Sequence, residues 1–338
     1  MRQAVAAFLL VLAFPSALPA APRETEPRID PRSLPGVPSH VQRAQPAVVG
    51  IKVSVPRDRP SARTLGPERW GSGVIFDPTG YVLTVSYVLL DADRIEVSLR
   101  DGRKLPAHLV GLDLEVGLGV IKIEGAAPFP AAALGDSTAV TPGQLTATVG
   151  VDEDGGLVAT PGSVQAIRSF AGYWEYMLDR AFVVAPYNPA FGGSPLVNER
   201  GEVIGVVSLR LGEKPFVNLA IPIEKFLPGM DELIREGRIM SRKPRPWLGL
   251  YTVPGEGGGV VVAGVSSVGP AASAGFQPGD RIVRLNGDLV GSQEEFYARL
   301  WQTQVGQEIT LVVVRESRFH AITLRPADRY RFFRTTSK

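Results

Sequence analysis

The chain reads as a mainly β protein of two domains, a larger antiparallel β domain followed by a smaller β-rich α+β module. Three observations carry that expectation. Short alternating or apolar runs recur between turns rich in Gly, Asp and Pro, the pattern of antiparallel barrels and sandwiches. A stretch rich in Ala and Pro at 124–143 divides these runs into two sets. A basic, proline-bearing linker at 237–246 then ends the second set, and the pattern restarts after it.

Composition narrows the function before any motif is considered. At 338 residues, 44% of them hydrophobic and 21% charged, the chain has ample material for two cores. A formal net charge of +2 is too small to argue for a nucleic-acid partner. Zero cysteines exclude thiol catalysis, thiolate metal sites and a disulfide scaffold. The three histidines, His40, His108 and His320, have no metal-ligand spacing, so neither a metal nor a cofactor is expected.

Residues 1–20 read as a secretory signal peptide. Arg2 supplies the positive start, 4–14 the apolar run, and small residues around Ala20 a cleavage site. Secretion or periplasmic export follows as the expected destination. Residues 21–40 are rich in Pro and charge and read as a tether.

The larger domain is expected over 41–236. Its first set of strands is 47–55, 71–76, 81–84, 94–99, 104–110 and 118–123, with 57–69 a polar loop. Asp77-Pro78-Thr79-Gly80 and Asp101-Gly102 supply tight turns. The second set is 145–149, 157–167, 182–185, 202–208 and 216–220. Helical spacing over 223–235 is interrupted by Pro228, which kinks a helix or marks its first turn. The smaller domain is expected over 245–328, with strands at 248–253, 260–265, 281–285 and 309–315 and helices near 271–274 and 293–302. Residues 329–338 read as a basic, frayed tail.

One stretch organises the rest. Residues 188–205, NPAFGGSPLVNERGEVIG, run from a Gly-Gly turn through Ser-Pro-Leu-Val and a polar turn into a strand. This is the shape of a nucleophile loop without its nucleophile. Together with 71–84 (GSGVIF through GYVLT) and 111–123 (GLD through VIKI), it makes the chain resemble the HtrA (DegP-like) secreted serine proteases. The resemblance implies a chymotrypsin-like double β-barrel followed by a PDZ domain. It also places the family's catalytic His, Asp and Ser positions on Tyr87, Gly117 and Gly192.

None of the three residues can do the corresponding chemistry. Gly192 has no hydroxyl, a neutral phenol at Tyr87 is a poor proton acceptor, and Gly117 has no carboxylate to orient a base. Ala190 replaces a glycine two residues before the nucleophile position, where a Cβ resists a positive-φ oxyanion loop. Ser194 is the remaining hydroxyl. It lies two residues past that position and reads better as a turn hydroxyl bonded to backbone. The competing expectation is an active endopeptidase that uses Ser194, with His108 as its base.

In the smaller domain Trp247-Leu248-Gly249-Leu250 resembles a PDZ carboxylate-binding loop, with Tyr251 opening the strand that an added peptide would extend. Phe296 and Leu300 share one helix face, which is either a groove wall or core. The expectation is a pseudoprotease that binds peptides or protein C-termini. The resemblance adds unfolded envelope proteins as clients and a trimer as the homo-oligomer.

Overall fold

The computed structural model describes residues 38–336. The expected signal peptide, nearly all of the tether and the last two residues of the tail lie outside the described residues.

Helix α1 (Ser39–Ala44) buries Val41 and Ala44 and leads into β1 (Val48–Ser54). The loop that follows holds a short helix, α2 (Pro60–Leu65), whose proline suits a first turn. Then come β2 (Glu68–Asp77), β3 (Tyr81–Val85), α3 (Ser86–Leu89), β4 (Arg94–Ser98), β5 (Lys104–Asp113) and β6 (Leu118–Ile123). The six strands close into a barrel in the order β1-β2-β3-β6-β5-β4. Its interior is filled by Val74, Leu83, Val97, Leu112 and Val120, all fully buried. Each contributes roughly 1.5–3 kcal/mol of burial free energy.

A second barrel follows the Ala/Pro-rich connection. Its strands are β7 (Leu145–Val151), β8 (Leu157–Gly172), β9 (Tyr176–Ala185), β10 (Pro195–Val197), β11 (Val203–Leu211) and β12 (Val217–Pro222). They close in the order β10-β11-β12-β9-β8-β7 around Phe182, Val184, Leu196, Ile204 and Val207. β8 and β9 are longer than the sequence pattern indicates, and their pairing continues to Gly172 opposite Tyr176. The extension breaks the inside–outside alternation, because this hairpin meets a second packing partner beyond its barrel.

Pro228 divides the segment expected as one helix. Two 3₁₀ turns precede α4 (Met230–Glu236), which Gly237 ends in the left-handed conformation.

The smaller domain comprises β13 (Pro246–Trp247), β14 (Leu250–Pro254), β15 (Val260–Val265), α5 (Pro270–Ala274), β16 (Arg281–Leu285) and β17 (Asp288–Leu289). After these come α6 (Gln293–Leu300), β18 (Ile309–Arg315), β19 (Arg318–Leu324) and β20 (Ala327–Asp328). Ser292 caps α6 by accepting the Glu295 amide at 3.1 Å, while the Glu295 carboxylate accepts the Gly291 amide at 2.8 Å. The sheet runs β14-β15-β16-β18-β19 over its own apolar core.

The tail corrects the expectation of a frayed end. The Tyr330 hydroxyl accepts the Leu114 amide at 2.9 Å, and Phe332 and Phe333 pack on Trp247 with ring centroids 5.2 and 6.0 Å away. Further on, the Arg334 amide donates to the Asp91 carboxylate at 2.7 Å. Aromatic side chains hold this stretch down despite its basic composition, because they find apolar partners on both domains.

Candidate functional site

The loop at 188–205 lies between the two barrels. The Ser72 amide on β2 donates to the Gly192 carbonyl at 2.7 Å, and the Ser72 hydroxyl accepts the Val151 amide at 2.9 Å. These bonds hold the loop of the second barrel against a strand of the first. Asn188 anchors its start, fully buried, with its side chain bonded to the Thr148 and Val158 carbonyls and to the Ala190 amide.

Tyr87, Gly117 and Gly192 come together here. The Tyr87 hydroxyl donates to the Ser208 carbonyl at 2.9 Å and lies 2.9 Å from where a Cβ on Gly192 would stand. The Gly117 carbonyl accepts the Ser86 amide, one residue before Tyr87, at 2.9 Å. A side chain on Gly117 would meet the Tyr176 hydroxyl at 3.0 Å, and φ of +87° is a conformation that L-residues resist. The Tyr176 hydroxyl is itself bonded to the Val116 carbonyl at 2.6 Å. Two phenols thus occupy the space around the two glycines.

Of Tyr87, Gly117 and Gly192, only Tyr87 carries a titratable side chain. Burial pushes the Tyr87 phenol above its ordinary range, so it stays a neutral phenol near neutral pH. The Ala190 amide is also spent, since it donates to the Asn188 side chain at 2.8 Å. Ser194 is fully buried, and its hydroxyl donates to the Ala190 carbonyl. His108 sits exposed on β5 with Nδ1 3.2 Å from Glu124 Oε1. Neither bond links Ser194 to His108.

In the smaller domain, the groove between β14 and α6 contains the tip of the β8–β9 hairpin. The Leu248 amide donates to Glu175 Oε2 at 2.9 Å, and the Gly249 and Leu250 amides donate to Oε1, each at 2.7 Å. Gly249 adopts φ of +84° to turn its amide into this cluster, which a residue with a Cβ would resist. Next to the carboxylate the hairpin backbone pairs with the strand, as the Thr252 amide donates to the Tyr173 carbonyl at 2.7 Å. From α6 the Tyr297 hydroxyl donates to the Gly172 carbonyl at 2.8 Å and accepts the Glu175 amide at 3.1 Å. Gln293 ties strand to helix through the Thr252 carbonyl at 2.7 Å.

The residues expected to bind peptide are distributed accordingly. Leu248, Gly249 and Leu250 supply the amides, and the Tyr251 ring lies 5.8 Å from that of Tyr173. Trp247 is turned toward the tail. Phe296 and Leu300 are fully buried in the domain core, and the polar contacts of α6 with the hairpin come from Gln293 and Tyr297. The i, i+4 spacing of those two residues was a readable signal for a second helix face. Glu175 carried no local signal.

Comparison with known proteins agrees with this architecture. Residues 71–206 match the trypsin-like peptidase domain family and 246–325 the PDZ domain family. The serine endoprotease DegS of Salmonella typhimurium is 32% identical over 303 residues, which cover 82% of each chain. The chain belongs to the HtrA-type serine protease family. A probable periplasmic DegP-like endoprotease of Halomonas elongata is also 32% identical, over 76% of this chain but only 56% of the relative's length. Among solved structures, the HtrA-type protease AlgW with tripeptide superposes with a TM-score of 0.54 at 29% identity, covering 89% of this chain and 98% of that one.

Within this HtrA-type chain, Glu175 is the most perturbed acid near the PDZ loop. Burial lifts its carboxyl to about 7, against the opposing pull of the three amides and of Arg329. Tyr251 and Tyr297 face it as well, and Glu115, Arg245 and Asp328 share the small cavity beside it. The seated carboxyl therefore binds a proton more tightly than a solvated one. Seating is strongest below the solvated value near 4.5, weakens as pH rises through about 7, and is constant above that. Exchange protection of the 248–250 amides, corrected for intrinsic rates, is expected to fall by up to about tenfold per pH unit in that window. A Glu175→Gln variant is expected to show no such slope. Equal slopes in both proteins would refute the assignment.

Proposed function

We propose that this HtrA-type protein has lost proteolysis and works as an exported peptide-binding protein, with a PDZ groove that takes peptide or protein C-termini. One observation carries the first part. The hydroxyl of Tyr87 stands 2.9 Å from where the side chain of a nucleophile at 192 would begin, and Gly117 has no carboxylate. If 87, 117 and 192 are the three catalytic positions, no general base, orienting acid or nucleophile remains. Losing one central member of such a set costs on the order of a millionfold in turnover.

Binding is supported by three converging amides that already hold a carboxylate, with a strand edge beside them that pairs with extended backbone. The AlgW structures with bound tripeptide and decapeptide are consistent with a peptide groove in this family. Export after cleavage at Ala20 fits the periplasmic description of the DegP-like relatives. A scaffold, sensor or chaperone-like role toward unfolded envelope proteins would use the same groove.

The deciding measurement is a fluorophosphonate activity probe on the purified mature chain. No labelling above a heat-denatured control is expected. Labelling at Ser194, abolished in Ser194→Ala, would sink the proposal in favour of an active endopeptidase with displaced catalytic groups.

A further inference from the structure

We propose that the chain carries its own ligand for the PDZ groove: the β8–β9 hairpin tip, residues 172–175, fills the groove, with the Glu175 side chain in the seat for a peptide α-carboxylate. An external C-terminal peptide then binds only in exchange for the hairpin. This inference rests on the reading of the groove as a carboxylate-terminated peptide site.

The occupancy reproduces each part of strand-addition recognition. A carboxylate accepts three successive loop amides. Next to it a backbone carbonyl, that of Tyr173, accepts the Thr252 amide of the groove strand. The helix wall contributes Tyr297, which bonds to backbone groups on both sides of the tip, at Gly172 and at Glu175. Ala171 and Met177, on the two arms of the hairpin, pack against the core of the smaller domain.

A second feature sets this tip apart from an ordinary turn. Glu175 has φ of +54°, a left-handed conformation in which Gly, Asn or Asp would be the easier residue. A turn needs none of what glutamate adds here, whereas the seat needs a carboxylate at the end of a two-carbon reach. Glu175 is only 5% exposed, so nearly all of that side chain is spent on the smaller domain. An added peptide and the hairpin cannot use the same amides at once. Apparent peptide affinity is therefore reduced by the fraction of chains that are closed.

The test uses the full mature chain and two probes, a randomised fluorescent decapeptide pool with free C-terminal carboxylates and the same pool C-terminally amidated. Glu175→Ala is expected to bind the free-carboxylate pool at least tenfold tighter than the unaltered chain, with the amidated pool left unbound. Amide exchange at 248–250 is expected to accelerate in the variant without peptide. Equal affinity of variant and unaltered chain would overturn the internal ligand while leaving the peptide-binding reading intact. Failure of both to bind, with the 248–250 amides exposed in the variant, would overturn that reading and the inference with it.

Should Glu175→Ala not fold, a Tyr173→Cys, Tyr251→Cys pair carries the same test, because the chain has no other cysteine and those rings are neighbours. Oxidised, the pair is expected to block the pool. Reduced, it is expected to bind at least as well as the unaltered chain. Unchanged binding on oxidation would overturn the proposal.

Discussion

A Tyr87→His, Gly117→Asp, Gly192→Ser triple variant is expected to show no measurable peptidase turnover, although it supplies each residue type of a serine protease triad. The obstacle is the space around these positions. At 117 a new Cβ meets the Tyr176 phenol, with atoms at 3.0, 3.2 and 3.3 Å, on a backbone with φ of +87°. An aspartate there cannot reach an imidazole at 87 without moving a tyrosine that is buried and bonded to the Val116 carbonyl. A triad without a correctly placed carboxylate loses about 10⁴ in turnover. The Ala190 amide donates to the Asn188 side chain, so one donor to a developing oxyanion is engaged elsewhere. Loss of one such donor costs about 10²–10³ more. Fluorophosphonate labelling of the triple variant is accordingly expected at the level of the unaltered chain. Adding Tyr176→Ala clears the space at 117, and a rise in labelling only then would identify the phenol as the block. Stoichiometric labelling of the triple variant itself would overturn this account.

The sequence could assign Tyr87 and the two glycines to one site because the signals used for that assignment are short-range. Gly71 to Thr84, Gly111 to Ile123 and Asn188 to Gly205 each keep their spacing within one or two strands, so a substitution in the pattern stands out. The barrel strands were legible for the same reason, since β4 alternates exposed and buried residues between two turns. What stayed hidden is long-range. Glu175 meets its amide donors 73 to 75 residues downstream, and nothing in GYWEY says that its carboxylate will leave the hairpin for another domain. The tail misled for a related reason. Its arginines suggest solvent, whereas its position follows from Phe332 and Phe333 finding Trp247 about 85 residues upstream. Local pattern identifies elements, but it does not identify which surfaces those elements bring together.

The largest loss of stability is expected from Arg69→Ala. Arg69 sits on β2, is only 5% exposed, and is spent entirely on backbone and buried groups. Its guanidinium donates to the Tyr87 carbonyl at 2.9 Å, the Leu90 carbonyl at 2.7 Å, the Gly66 carbonyl at 3.1 Å and the Ser61 hydroxyl at 2.8 Å. Burial pulls its proton affinity down to about 10 and the nearby Asp91 pulls it back up, so it stays a cation at neutral pH. Removing it leaves the fully buried Asp91 without that compensating charge and the Tyr87 and Gly66 carbonyls without this donor, while the Leu90 carbonyl keeps only the Ser61 hydroxyl. Stranding buried acceptors costs about 1–3 kcal/mol each, so a loss of about 3–5 kcal/mol is expected. For a domain of this size that is a fall in Tm on the order of 10 °C. Arg69→Lys keeps the charge but cannot span four acceptors, so an intermediate loss is expected. The damage should also spread. Asp91 holds the Ser61 and Arg334 amides at 3.1 and 2.7 Å, and Arg69 holds the backbone of Tyr87. Faster exchange at Arg334 and a weaker near-ultraviolet tyrosine signal should therefore accompany the lower Tm. A Tm within about 2 °C of the unaltered chain, well below that expected loss, would show that Asp91 and the carbonyls find other partners. The Tyr87 corner would then not depend on this buried cation.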